Sequence, residues 1–142
     1  MMKLSVVIAA FNEAPILDES LPALSAYLRE LDIEAEIILV DDGSTDNTEA
    51  IVAAHALQDR RLVLLRHQRN LGKGAALRLG VSRARGACII FTDADLPYPL
   101  EAINQAMDRL SAGSDLAVGT RQILGIKARS GYSLARHVLS AG

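Results

Sequence analysis

Leu4-Ser5-Val6-Val7-Ile8-Ala9, a helix-period stretch from about Ile16 to Leu31, and then Glu36-Ile37-Ile38-Leu39-Val40 decide the fold. The two short runs are apolar along almost their whole length instead of alternating, the pattern of strands covered on both faces. Between them Leu17, Leu21, Leu24 and Leu28 recur at steps of three and four, which puts them on one side of a helix. The same unit repeats outward. Gly43-Ser44-Thr45-Asp46 leads into a helix through Ile51, Val52 and Leu57, and Leu62-Val63-Leu64-Leu65 reads as a third strand. A glycine-rich turn then opens a helix with Ala75, Ala76, Leu79 and Val81 inward, and Ala87 to Phe91 is a fourth strand. A helix from about Pro99 to Leu110, a fifth strand from Asp115 to Val118, and a last stretch helical from Ser130 complete the reading. Strands alternating with helices predict an α/β domain with a parallel sheet covered on both faces, whose ligands gather beyond the strands' carboxyl ends.

The 142 residues, half of them apolar, suit one domain spanning 1–142, and a chain of this size buries roughly 70% of its unfolded surface. No apolar run approaches the roughly 18 residues that span a bilayer. The start, Met1-Met2-Lys3-Leu4, passes straight into strand-like sequence without a secretory pattern, and a lone Cys88 rules out an internal disulfide. A reducing, cytoplasmic setting is expected, with Cys88 a buried small hydrophobe. The net charge of −2 is unevenly distributed. All 17 acids lie at or before Asp115, whereas Arg121, Lys127, Arg129 and Arg136 follow it unopposed. Such a basic tail suits an anionic partner or a solvated helix face equally.

Each strand end carries a polar cluster: Ala10-Phe11-Asn12-Glu13, Asp41-Asp42-Gly43-Ser44-Thr45-Asp46, Asn70-Leu71-Gly72-Lys73-Gly74 and Asp93-Ala94-Asp95. Acids, an aromatic and a lysine between glycines on one edge are more than loop composition requires, and they point to a shared nucleotide site. Asp93 and Asp95 offer hard oxygen ligands for Mg²⁺ or Mn²⁺, which take one or two carboxylates and complete their shell with water and phosphate. An aspartate capping a helix after a solvated turn explains the same residue types. Asp41 and Asp42 repel one another unless one caps a helix or accepts hydrogen bonds from a base or ribose; Ser44, Thr45 and Asp46 are natural caps. Lys73 at a helix start needs a negative neighbour. The P-loop pattern is absent, because His67 and Gly74 stand where it needs Gly and Ser or Thr, and Leu77 breaks a dinucleotide G-x-G-x-x-G. His55, His67 and His137 have no metal-ligand spacing and read as surface or loop residues, and Arg83 and Arg85 complement a helix end.

The series Val6 to Glu13, Val40 to Thr48, Asn70 to Gly74, Asp93-Ala94-Asp95 and Gly119-Thr120-Arg121 resembles the family 2 glycosyltransferases of the GT-A fold over nearly the whole chain. Within them, residues 72–80 and Phe91 to Pro97 most resemble the polyprenyl (dolichyl) phosphate sugar transferases, the glucosyl branch somewhat more than the mannosyl. The resemblance implies a Rossmann-like, three-layer α/β/α domain with a mainly parallel sheet. It also implies that Ala10, Phe11 and Glu13 border the base and ribose, Asp42 contacts the nucleoside and Lys73 lies near the nucleotide. Asp93 and Asp95 would hold the diphosphate through Mg²⁺ or Mn²⁺, with Arg121 facing the sugar or phosphate. The implied partners are a nucleoside-diphosphate sugar donor (UDP-glucose or GDP-mannose type) and a polyprenyl phosphate acceptor, at the cytoplasmic face of a membrane. Arg129 and Arg136 are candidates for the lipid phosphate. Nothing calls for nucleic acid, and an open sheet edge is compatible with a homo-oligomer.

Two departures matter. Family members usually continue well past the Gly-Thr-Arg motif, so the acceptor half is expected to be missing or shortened. Pro97 also stands where many relatives carry a polar residue that assists the metal. An inverting sugar transferase and a nucleotide-sugar-binding fragment without turnover therefore both fit. A sugar nucleotidyltransferase would carry a glycine-rich signature in the first strand-helix turn, where this chain has Ala10-Phe11-Asn12-Glu13.

Overall fold

The computed structural model describes residues 2–119. Four strands, β1 (Leu4–Ala10), β2 (Ala35–Asp41), β3 (Leu62–Arg66) and β4 (Cys88–Asp93), alternate with four helices. The helices are α1 (Ala14–Glu30), α2 (Thr48–Gln58), α3 (Lys73–Arg83) and α4 (Ala102–Ser111). All ladders are parallel and the sheet order is β3-β2-β1-β4. From β1 the chain steps through β2 to β3, then returns across the sheet to β4 on the other side of β1. Right-handed crossovers place the helices of opposite steps on opposite faces. That is what is found: α1 and α2 cover one face, and α3 crosses β1 and β2 on the other.

The two-residue period of β1 divides its side chains between two cores. Leu4, Val6, Ile8 and Ala10 join Leu17, Leu21, Leu24 and Leu28 of α1, Val52 of α2 and Ile103 of α4. Val7, with Ile38 and Val40, faces Ala76 of α3. Helix α3 sits close because Gly80 has no side chain: a Cβ there would lie 2.4 Å from a methyl of Val7 and 3.2 Å from one of Val40. At the amino end of the same face, Glu36 is buried within β2. Its Oε1 accepts from Ser5 Oγ (2.7 Å) and the Arg85 backbone N–H (2.8 Å), and its Oε2 from Arg85 Nε and Nη2 at 3.0 and 2.7 Å. Burial pushes the Glu36 pKa up, but the Ser5 and Arg85 hydrogen bonds outweigh it and hold the carboxyl below its usual range. Arg85 thus does more than complement a helix end.

Three expectations need correction. Asp115 to Val118 forms no strand among the described residues; Leu116 and Val118 are exposed, because a strand exists only through a ladder and this segment takes none. Val81 points outward, 42% exposed, since Ala76 and Gly80 occupy the inner stripe of α3. Cys88 is only half-buried, although it packs against the main core and burial still pushes its thiol pKa up. The last stretch, from Ser130, lies outside the described residues.

Candidate functional site

The chain leaves β1 toward β2 on one side, while β4 adjoins β1 on the other. The crevice beyond their carboxyl ends is thus a topological switch point, the place where open α/β sheets bind ligands. In register Ala9 pairs with Asp93, so Asp93 shares the face of α3. There its carboxylate forms an ion pair with Lys73 Nζ, at the first residue of that helix. Lys73 therefore has the negative neighbour its position requires.

Strand β4 ends in a tight turn that presents both acids. The Leu96 N–H donates to the Asp93 carbonyl at 3.1 Å, Ala94 between the acids is 2% exposed, and Asp93 and Asp95 are each partly open. Leu96 takes a left-handed conformation at φ 47°, a cost of about 1–2 kcal/mol for a residue with a Cβ, offset where its side chain packs on the main core. Across the crevice Glu13 begins α1. Its carboxyl is pushed above the usual range, first by burial and then by the charges of Asp95, Asp93 and Asp46. Glu13, Asp93 and Asp95 therefore share one negative field, to which Asp46 adds.

Hydrogen bonds between loops hold this edge together. Asn12, at φ 54°, donates its N–H to Ser44 Oγ (2.9 Å), while its Oδ1 accepts from the Thr45 and Asp46 N–H groups at 2.9 and 3.3 Å. Glu13 N–H donates to Thr48 Oγ1 (3.0 Å) and Ala14 N–H to Asp46 Oδ2 (3.2 Å). Ser44, Asp46 and Thr48 thus satisfy amides at and just before the start of α1, and of the three only Asp46 also accepts from α2, at the Thr48 N–H (2.9 Å). Asp41 Oδ1 accepts from Ser44 N–H at 2.9 Å, and Arg66 Nε lies 3.3 Å from its Oδ2. Asp42 is 3% exposed. It accepts from His67 Nδ1 (2.7 Å) and the Leu71 and Gly72 N–H groups (3.0 and 2.8 Å). Burial raises the Asp42 pKa, but the His67 bond and these two amides more than offset it, and the group lies below its usual range.

The structure brings Glu13, Asp93, Asp95 and Lys73 to one crevice, with Phe11 43% exposed beside it and Ala10 buried at the end of β1. Asp42 lies beneath, bonded to the loop that leads to Lys73. Arg121, Arg129 and Arg136 lie outside the described residues. Gly119, next to Thr120 and Arg121 in sequence, accepts a hydrogen bond from Tyr98 Oη at 3.3 Å, three residues past Asp95. Read from sequence, Asn12 has no role of its own within its cluster and His67 is a surface or loop histidine; His67 does lie in a loop, but its ring is 14% exposed and bonded to Asp42. A left-handed Asn is a familiar turn residue, but His67 is only recognisable once β2 and β3 are paired. Hard carboxylate oxygens with no thiolate or imidazole among them fit Mg²⁺ or Mn²⁺ in type. Among the described residues no group of three or more His, Cys, Asp or Glu forms a metal cage. Two carboxylates completed by phosphate oxygens are what Mg²⁺ sites ordinarily use. At the opposite, amino end of the sheet a cavity of about 500 Å³ is lined by Arg29, Asp32, Glu34 and Arg61 among others.

Fold and edge define a doubly wound α/β protein with an acidic site at its switch point. Residues 5–136 match the sequence profile of Glycosyl transferase family 2. The chain is 38% identical over 124 residues to a prophage bactoprenol glucosyl transferase homolog of Escherichia coli K12, covering 84% of this chain and 39% of that one. It is 37% identical over 118 residues to the undecaprenyl-phosphate 4-deoxy-4-formamido-L-arabinose transferase of Pseudomonas fluorescens SBW25, covering 82% and 35%. Among solved structures, the mannosyltransferase PcManGT from Pyrobaculum calidifontis, in complex with GDP-Man and Mn²⁺, superposes with a TM-score of 0.65 at 29% identity. That match covers 77% of this chain and 32% of PcManGT. S. aureus TarS 1-349 in complex with UDP-GlcNAc superposes at 0.64 with 26% identity, covering 78% and 32%. The protein belongs to glycosyl transferase family 2 and has the GT-A fold. It spans 35–39% of the length of these two curated relatives.

Proposed function

We propose that the crevice between β1 and β4 binds a nucleoside-diphosphate sugar and that the protein transfers the sugar to a polyprenyl phosphate by inverting displacement. The observation that carries this reading is the Asp93-Ala94-Asp95 turn beside Glu13 and Lys73 at the switch point. Asp93 and Asp95 would hold Mg²⁺ or Mn²⁺, which supplies a Lewis acid for charge developing on the departing diphosphate. Lys73 adds a donor at a helix start already favourable to anions. Ala10 at the base of the crevice and Phe11 on its surface border the nucleoside, and Asp42 keeps acceptor capacity beyond its three hydrogen bonds.

In the displacement an acceptor phosphate oxygen bonds to the anomeric carbon as the carbon–oxygen bond to the diphosphate breaks, and the nucleoside diphosphate leaves with the electron pair. A phosphate nucleophile is already ionised near neutral pH, so the step calls for little or no general base. The donor half of this reading rests on described side chains. The acceptor half rests on Arg121, Arg129 and Arg136 and on the relatives, one named a bactoprenol glucosyl transferase homolog and another an undecaprenyl-phosphate transferase. No described helix is long and apolar enough to cross a membrane, and a peripheral position at the cytoplasmic face suits a lipid-linked acceptor. A nucleotide-sugar-binding domain without turnover is the second reading, because the described side chains Glu13, Lys73, Asp93 and Asp95 all lie on the donor side.

A transfer assay with each nucleotide sugar and polyprenyl phosphate, the anomer assigned by NMR, tests the proposal. Product of inverted configuration supports it; nucleotide-sugar binding with no transfer selects the second reading. Arg129→Ala or Arg136→Ala is expected to raise the acceptor KM and leave nucleotide affinity intact, and an unchanged KM in both contradicts their assignment.

A further inference from the structure

His67 and the carboxylate beneath the crevice form a linkage that reaches the nucleotide side from outside it. Because Asp42 is held below the usual carboxylate range, it is ionised and can only accept, so the 2.7 Å contact requires the proton on His67 Nδ1. The other two donors to Asp42 are the consecutive N–H groups of Leu71 and Gly72, the last two residues before Lys73. Gly72 is the N-cap of α3, in a left-handed conformation at φ 93°, and no side chain caps the helix there. The position of Lys73 therefore depends on how Asp42 holds these amides.

His67 itself has a rigid base. Its own N–H donates to the Asp41 carbonyl at 2.9 Å, continuing the β2–β3 pairing, and its ring is only 14% exposed. The neck of the same loop lies against Gly43 so closely that a Cβ there would come within 2.4 Å of the Arg69 carbonyl carbon. The 67–72 segment is thus fixed over the end of β2 by two separate devices, a missing side chain and a three-donor carboxylate.

We infer that His67 is a positioning residue: through Asp42 it orients the Leu71 and Gly72 amides and so sets Lys73 for the diphosphate of the donor. The inference rests on the donor-site reading above, and it goes beyond it by assigning a role to a residue that touches neither nucleotide nor metal. Without the His67 bond, Asp42 loses one of the two donors on Oδ1, its carboxylate plane is free to turn, and the Gly72 amide loses a fixed partner.

The test uses the full chain with His67→Ala and His67→Asn, read out in two ways below the melting temperature of every variant. Amide hydrogen exchange of Leu71 and Gly72 is measured without ligand. Affinity for UDP-glucose and GDP-mannose with Mn²⁺ is measured by calorimetry. In His67→Ala, exchange at both amides is expected to accelerate and nucleotide-sugar affinity to fall about tenfold, the loss of one charge-assisted hydrogen bond. His67→Asn places an amide donor where Nδ1 stood and is expected to restore both. Wild-type exchange and affinity in His67→Ala, or lowered thermal stability with Gly72 protection unchanged, would overturn the inference. A wild type that binds neither nucleotide sugar contradicts the donor site instead, and the exchange of Leu71 and Gly72 still decides whether His67 sets the loop.

Discussion

At the scale of single residues, Glu13 reports the field of the crevice. Its folded-state pKa is raised by burial and by Asp95 and Asp93. A carboxyl with a raised folded pKa favours the native state at low pH, and that contribution is lost as pH rises through the folded value. Glu13→Gln removes the repelling charge. Thermal unfolding in EDTA is expected to show the variant more stable than wild type at pH 7, the gain shrinking as pH falls through the raised folded value and vanishing below the ordinary Glu value of about 4.3; a variant less stable at pH 7 contradicts the shared negative field. Glu36 has the opposite sign. Its lowered pKa gives stability above the usual carboxylate range that is lost as pH falls. Arg85→Ala is expected to cost about 1–3 kcal/mol at neutral pH, with a smaller penalty in acid, read by denaturant titration. The carboxylates at the strand ends were legible because residue type and spacing carry their chemistry. The pairing of Asp42 with His67, and of Glu36 with Arg85, was not. Each joins residues 25 and 49 positions apart that only the sheet brings together.

At the scale of elements, strands of a parallel sheet are written as unbroken apolar runs, so β1 to β4 were found within a residue or two of their ends. The expected cover on both faces holds only for β1 and β2: Val63 of β3 and Ile89 and Phe91 of β4 are exposed. Helix α1 was equally plain, because its four leucines all enter the core. Helix α3 was not. Hydrophobicity marks Val81 as inward, yet close approach to Val7 requires Gly80 there, and a glycine gives no apolar signal. Gly80→Ala gains helix propensity but drives a methyl into Val7. A net loss of about 1–3 kcal/mol is expected by chemical denaturation, the usual range for overpacking, and a neutral or stabilising result would show that α3 can move off the sheet. The segment Asp115 to Val118 has strand composition without a ladder. β-Propensity describes a fit to a pleated neighbour, and no described neighbour takes it.

At the scale of the whole molecule, topology converts these local facts into a site. The reversal of direction between β1 and β4 opens the crevice, the α3 crossover brings Lys73 to Asp93, and the β2 loop caps α1 so that Glu13 faces both aspartates. The order of elements in the sequence sufficed to place ligands at this edge, because parallel α/β sheets leave no other common location. The decisive measurement is calorimetric titration of the chain with UDP-glucose and GDP-mannose, each with Mn²⁺ and again with EDTA, for wild type and Asp95→Ala. Saturable binding of one nucleotide sugar that requires Mn²⁺ and disappears in Asp95→Ala is the expected result. A folded wild type that binds neither, or binding that persists equally in EDTA and in the variant, would contradict the account.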